Sequence, residues 1–164
     1  MLRNISILLT CLLSIFLLPQ TASSQQENDL RALANLSELK VYFDIKADSA
    51  AKLEKRLIWI NDTYGQVRQQ GLKATFIIGI RSQASFFVTK GDEYIDEEEI
   101  PTKEKIEKWL QHLVKRGIHI EQCGLSAELF DIDPQDFFPE LTVVKNSYVS
   151  IGGYQNKGYA YVSM

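Results

Sequence analysis

Two runs rich in β-forming residues, 39–45 (LKVYFDI) and 72–80 (LKATFIIGI), stand on either side of a helical repeat in which Leu53, Leu57, Ile60, Tyr64 and Val67 recur at intervals of three and four. That alternation constrains the fold more than any other feature. A strand, a crossover helix and a second strand almost wholly apolar or β-branched is the pattern of a parallel sheet covered on both faces. Ser49 is placed to cap the helix and Gly71 to end it, while Gly65 weakens its middle.

The pattern continues downstream. A short helix or loop over 81–90 carries Phe86, Phe87 and Val88, and an acidic run follows from Asp92 to Glu99. Pro101 and Thr102 open a helix whose stripe is Ile106, Trp109, Leu110, Leu113 and Val114, with Lys115 and Arg116 at its dipole-negative end and Gly117 as its stop. Residues 118–123 (IHIEQC) read as a strand, Gly124 as a turn, 126–130 as a short helix, 141–145 as a strand, 147–155 as a helical turn and 158–162 as a last strand. The expected fold is a flavodoxin-like three-layer α/β sandwich, a mainly parallel sheet flanked by helices, in one domain.

The N-terminus stands apart. Residues 1–24 have a basic start at Arg3, an apolar stretch over 5–18, Pro19, and the small-residue exit Ala22-Ser23-Ser24, the pattern of a cleaved secretory signal peptide. A membrane anchor is disfavoured because the apolar run is shorter than the roughly 20 residues needed to span a bilayer. A lipoprotein signal at Cys11 is disfavoured by Thr10 before it. The expected plan is a signal peptide over 1–24, a polar segment over 25–38 with Leu30, Leu33 and Leu36 at helical spacing, and an α/β domain over 39–164, acting in the periplasm or outside the cell without stable membrane insertion.

Of the 164 residues 45% are hydrophobic, too many for a disordered chain, and a pI near 5.4 without any basic stripe argues against nucleic acid as a partner. Two cysteines are too few for a disulfide scaffold. Removal of residues 1–24 discards Cys11 and leaves Cys123 alone, so an exported chain has no internal disulfide to form.

Cys123 is the candidate site residue. It falls at the carboxyl end of an internal strand, the edge where open α/β sheets bind ligands, and just ahead of a helix whose N-terminus favours thiolate. The alternative is a buried cysteine acting as a small hydrophobe. Glu121, on the same strand face, opposes ionisation if its carboxylate comes close. His112 and His119 read as surface and strand-packing residues, and no histidine pair has metal-ligand spacing. The acidic run lacks the alternating ligands and turn glycine of a calcium loop. Ser82, Ser85 and Ser126 have no nucleophile-elbow pattern, and Gly152, Gly153 and Gly158 make no phosphate fingerprint and read as turn residues. No metal or cofactor is expected. Tyr148, Tyr154, Tyr159 and Tyr161 read as packing residues, with a subunit contact as the second use.

The strand ending in cysteine (IHIEQCG), the downstream Phe137-Phe138-Pro139 and residues 141–144 (LTVV), and the closing 154–161 (YQNKGYAY) resemble the DsrE/DsrF-like sulfur-relay family, in particular its exported members. The resemblance implies a small parallel α/β sandwich that assembles into homotrimers or homohexamers. It also implies a sulfurtransferase or persulfide carrier in which Cys123 accepts sulfane sulfur from a donor and passes it to an acceptor, the partners being proteins or small thiols. The competing class is a noncatalytic oligomeric periplasmic binding or interaction protein with a structural Cys123.

Overall fold

A computed structural model describes residues 30–164. The expected signal peptide lies outside the described residues. Five strands, β1 (Glu38–Ile45), β2 (Lys73–Ile80), β3 (His119–Cys123), β4 (Thr142–Val144) and β5 (Ala160–Ser163), form one sheet in the order β4-β3-β2-β1-β5. Every pairing is parallel. The helices are α1 (Leu30–Leu33), α2 (Ala50–Gln69), α3 (Ile100–Lys115), α4 (Gly124–Leu129) and α5 (Ser147–Asn156). The chain steps outward from β1 to β4 and then returns to lay β5 on the far side of β1. This is the expected three-layer α/β arrangement, flavodoxin-like in class.

Alternation along the strands divides the sheet into two unlike faces. Val41, Phe43, Ile45, Phe76, Ile78, Ile80 and Ile120 face α2 and α3, whose Leu53, Leu57, Ile60, Ile106, Leu110 and Leu113 complete a continuous core. Side chains of this size contribute about 1.5–3 kcal/mol each on burial, so this layer holds the domain together. Ser49 caps α2 as expected, its hydroxyl accepting from the Lys52 amide. The Glu99 carboxylate accepts from the Ala50 amide at 3.0 Å, tying the acidic run to the same helix end. Another part of that run serves Lys103, which is buried and bonds Asp92 at 2.8 Å and the Gly91 carbonyl.

The opposite face carries Tyr42, Asp44, Ile77, Glu121 and Cys123 and is covered by α5. Tyr42 is fully buried, and its ring crosses β2 at Gly79, where a Cβ would meet the tyrosine hydroxyl and lie 2.6 Å from Cζ. Glycine is required there by close approach. Tyr154 of α5 packs on Tyr42 with ring centroids 5.5 Å apart and on Tyr159 at 5.1 Å. Gly158, at φ 83°, lets the chain turn from α5 into β5.

Three expectations are corrected. Gly124 is the first residue of α4 rather than a turn, and that helix ends at Leu129. Residues 147–156 form a ten-residue helix, so Gly152 and Gly153 are helical and only Gly158 turns the chain. Here the Asn146 cap, whose side chain accepts from the Tyr148 amide at 2.9 Å, and tyrosine packing on the sheet outweigh two glycines of low helix propensity. The last strand starts at Ala160, two residues later than expected.

Candidate functional site

Cys123 ends β3 and takes the N-cap position of α4, with φ −73° and ψ 118°. It is the free cysteine among the described residues and is 3% exposed. Its register partner on β4 is Val144, three residues before Ser147 at the start of α5. The sulfur therefore lies where two helices begin. Burial works against ionisation and is the largest influence on the thiol. It is outweighed by the hydroxyl and amide dipoles of Ser147 and Ser126 around the sulfur, so the net effect lowers the pKa.

Each serine is prepared for this task. Ser126 Oγ accepts from the Ser82 amide at 2.9 Å, which occupies a lone pair and leaves the hydroxyl proton for the sulfur. Ser82 holds a left-handed φ of 59° to make that bond, a strained conformation for a residue with a side chain. The Ser147 hydroxyl is buried and has no hydrogen-bond partner. Gln122 points to the other face, where it donates to Ser85 Oγ at 2.8 Å and to the Cys123 carbonyl at 3.1 Å, fixing the strand end from below.

Glu121 shares the face of Cys123, as the alternation predicts. Its Oε1 accepts from the Tyr154 hydroxyl at 3.1 Å and lies 3.5 Å from His119 Nε2, while Oε2 has no partner. Burial, then the Glu121 charge and that hydrogen bond, push the Tyr154 hydroxyl up to about 12. The carboxylate is thus engaged with α5. His119 is exposed beside Glu121, and His112 bonds Asn61 at 3.1 Å. His112 is the surface residue expected, whereas His119, expected to pack within the strand, is exposed instead.

One strand over, Arg81 follows β2 and grips Asp44 of β1 with two bonds of 2.7 and 2.8 Å, and the Tyr161 hydroxyl donates to the same carboxylate at 2.6 Å. Burial raises the Asp44 carboxyl, but the Arg81 and Tyr161 hydrogen bonds and the Arg81 charge override it and hold the pKa below the ordinary carboxylate value. This group fills the sheet's carboxyl edge between β1 and β5, where the strand order reverses and open α/β sheets ordinarily keep their crevice. Tyr148, at the start of α5, lies against the Arg81 guanidinium, 5.1 Å from its ring centroid. Among the described residues no group of three or more His, Cys, Asp and Glu is placed to hold a metal ion, and no helix is long and apolar enough to cross a membrane.

A strand-end thiol held between two helix starts on an all-parallel sheet defines a single-cysteine site in an α/β sandwich. The profile of the DsrE/DsrF-like family matches residues 40–164, and the chain belongs to that family. Membership indicates sulfur relay as the broad functional class. In fold the chain is similar to a solved structure described as a protein of unknown function from Methanobacterium thermoautotrophicum, at 14% identity and TM-score 0.55, over 77% of this chain and 98% of that one. No curated protein matches it.

The sequence places Cys123 at a strand end ahead of a helix, as observed, but does not single out Ser147, and weighs Ser126 only as a hydrolase nucleophile, which it rejects. The available signal was the exit of β4 into Asn146-Ser147, which matters once β3 and β4 are known to be neighbours.

Proposed function

We propose that the protein is an exported sulfur carrier that holds sulfane sulfur as a persulfide on Cys123. The Cys123 thiolate attacks the sulfane sulfur of a donor, the bond between that sulfur and the donor's leaving group breaks, and the leaving group departs with the electron pair. An acceptor thiolate then attacks the terminal sulfur and Cys123 leaves as thiolate. The observation that carries this reading is the placement of Cys123 at the end of β3, as the N-cap of α4 and in register with Val144, three residues before Ser147. A lowered thiol pKa favours the nucleophile at neutral pH and stabilises the outgoing thiolate in the second step.

Export rests on residues 1–24, and the expected intact mass of the exported form is that of a chain starting near Gln25. Assembly as a homotrimer or homohexamer is supported by exposed apolar side chains on α5 and the edge strand β5, Tyr148, Val149, Tyr161 and Val162. Light scattering that gives only monomer at micromolar concentration removes that part of the proposal. The noncatalytic binding-protein reading is favoured by one observation, the burial of Cys123. Native-state labelling separates the two readings: a carrier reacts with a small thiol reagent while folded, and a packing cysteine reacts only after denaturation.

A further inference from the structure

A cleft of about 400 Å³ is lined by Leu125, Val144, Lys145, Asn146, Val149 and Ser150, neighbours of Cys123 and Ser147 in sequence and register. Its walls come from the segments that hold the sulfur. Leu125 is the second residue after Cys123, Val144 is its register partner, and Asn146 precedes Ser147, whose buried hydroxyl has no hydrogen-bond partner. Leu125, Val144 and Val149 give this space an apolar wall. Lys145 is exposed and has no ion-pair partner among the described residues, and the ten-residue helix α5 opens beside it with its positive dipole end. The cleft is within the range of small-molecule sites, about 300–1,000 Å³. With Cys123 3% exposed, the group that reaches its sulfur must be slender.

We infer that this cleft receives a small organic sulfane-sulfur donor, an anion with an apolar body such as an alkyl or aryl thiosulfonate, and presents its terminal sulfur to Cys123; the inference rests on the persulfide reading above. The hydrocarbon part lies on Leu125, Val144 and Val149, and the anionic group is held by the Lys145 ammonium. The Cys123 proton is lost to solvent. The thiolate then attacks the terminal sulfur, the sulfur–sulfur bond to the sulfonyl centre breaks, and its electron pair departs with the sulfinate. Cys123 is oxidised to the persulfide and the sulfonyl centre is reduced to sulfinate, so no outside oxidant enters.

The test compares inorganic thiosulfate, methanethiosulfonate anion and benzenethiosulfonate as donors to the full chain, reading sulfur addition to Cys123 by intact mass against donor concentration. Contact of a phenyl group with the apolar wall lowers the half-saturating concentration at least about tenfold relative to thiosulfate. Lys145→Ala raises it about fivefold for every donor. Val149→Asp, at a position 71% exposed and therefore safe for folding, weakens benzenethiosulfonate most. Equal half-saturation for the three donors, unchanged by either substitution, overturns the inference while leaving the carrier reading intact. Calorimetric binding of benzenethiosulfonate to Cys123→Ser separates the remaining cases. Binding that depends on Lys145 and Val149 without any sulfur loading upholds the ligand class and overturns the carrier reading. Absence of both binding and loading overturns the inference.

Discussion

Replacing Ser147 by alanine removes one hydroxyl from the sulfur's surroundings and leaves the Ser147 amide and both Ser126 donors in place. A hydrogen bond to a charged acceptor contributes about 1.5 kcal/mol, so its loss cuts the thiolate population roughly tenfold at pH values well below the thiol's midpoint. The rate falls by less, because a more basic thiolate is a better nucleophile. With a Brønsted coefficient of about 0.45, a tenfold loss of acidity makes each thiolate roughly threefold more reactive. The expected result is a crossing pair of profiles. Ser147→Ala reacts about threefold more slowly than wild type below the midpoint and about threefold faster once both are fully ionised. The assay is the rate of reaction with dithiodipyridine across pH, followed by the released chromophore. Folding stability serves as the control: the hydroxyl has no hydrogen-bond partner, so unfolding free energies from urea titration agree to within about 0.5 kcal/mol. Superimposable pH profiles at equal stability refute the reasoning that Ser147 acts on the sulfur.

Asp44→Ala leaves the mostly buried Arg81 guanidinium without its carboxylate and is expected to cost about 3 kcal/mol in urea unfolding; a loss under 1 kcal/mol shows that the pair holds nothing together. The pH dependence follows from the depressed Asp44 carboxyl: its contribution is present above the unfolded value of about 3.9 and is lost as pH falls through the lower folded value. Asp44→Asn therefore flattens the acid limb of the stability curve, and an unchanged limb contradicts the assignment. Gly79→Ala forces the Tyr42 ring out of its place across β2 and is expected to cost about 2 kcal/mol of stability; equal urea midpoints for variant and wild type show that the ring does not depend on that opening.

The sheet was legible because its strands announce themselves one at a time. The runs at 39–45 and 72–80 need no knowledge of their neighbours to be read as buried parallel strands, and the stripe from Ile106 to Val114 identifies α3 in the same way. Cys123 was legible for a related reason: a strand end followed by a helix start is a local pattern. Ser147 was not, since it reaches the sulfur only because β4 pairs with β3 and aligns Val144 with Cys123. The Arg81–Asp44–Tyr161 group was hidden likewise, since it gathers side chains from β1, β5 and the exit of β2 and has no spacing along the chain. Helix α5 was underestimated because its two glycines lower intrinsic propensity, while the Tyr154 contacts to Tyr42 and Glu121 that hold it against the sheet are tertiary.

The central claim is that Cys123 is a working nucleophile that carries sulfur, and intact mass spectrometry of the folded protein after exposure to a sulfane-sulfur donor tests it most directly. Wild type is expected to gain the mass of one sulfur atom, to lose it on addition of a thiol, and to be blocked by prior alkylation under native conditions, with Cys123→Ser gaining nothing. A wild-type protein that stays at its original mass, and whose cysteine is alkylated only after unfolding, contradicts the account and makes Cys123 a packing residue.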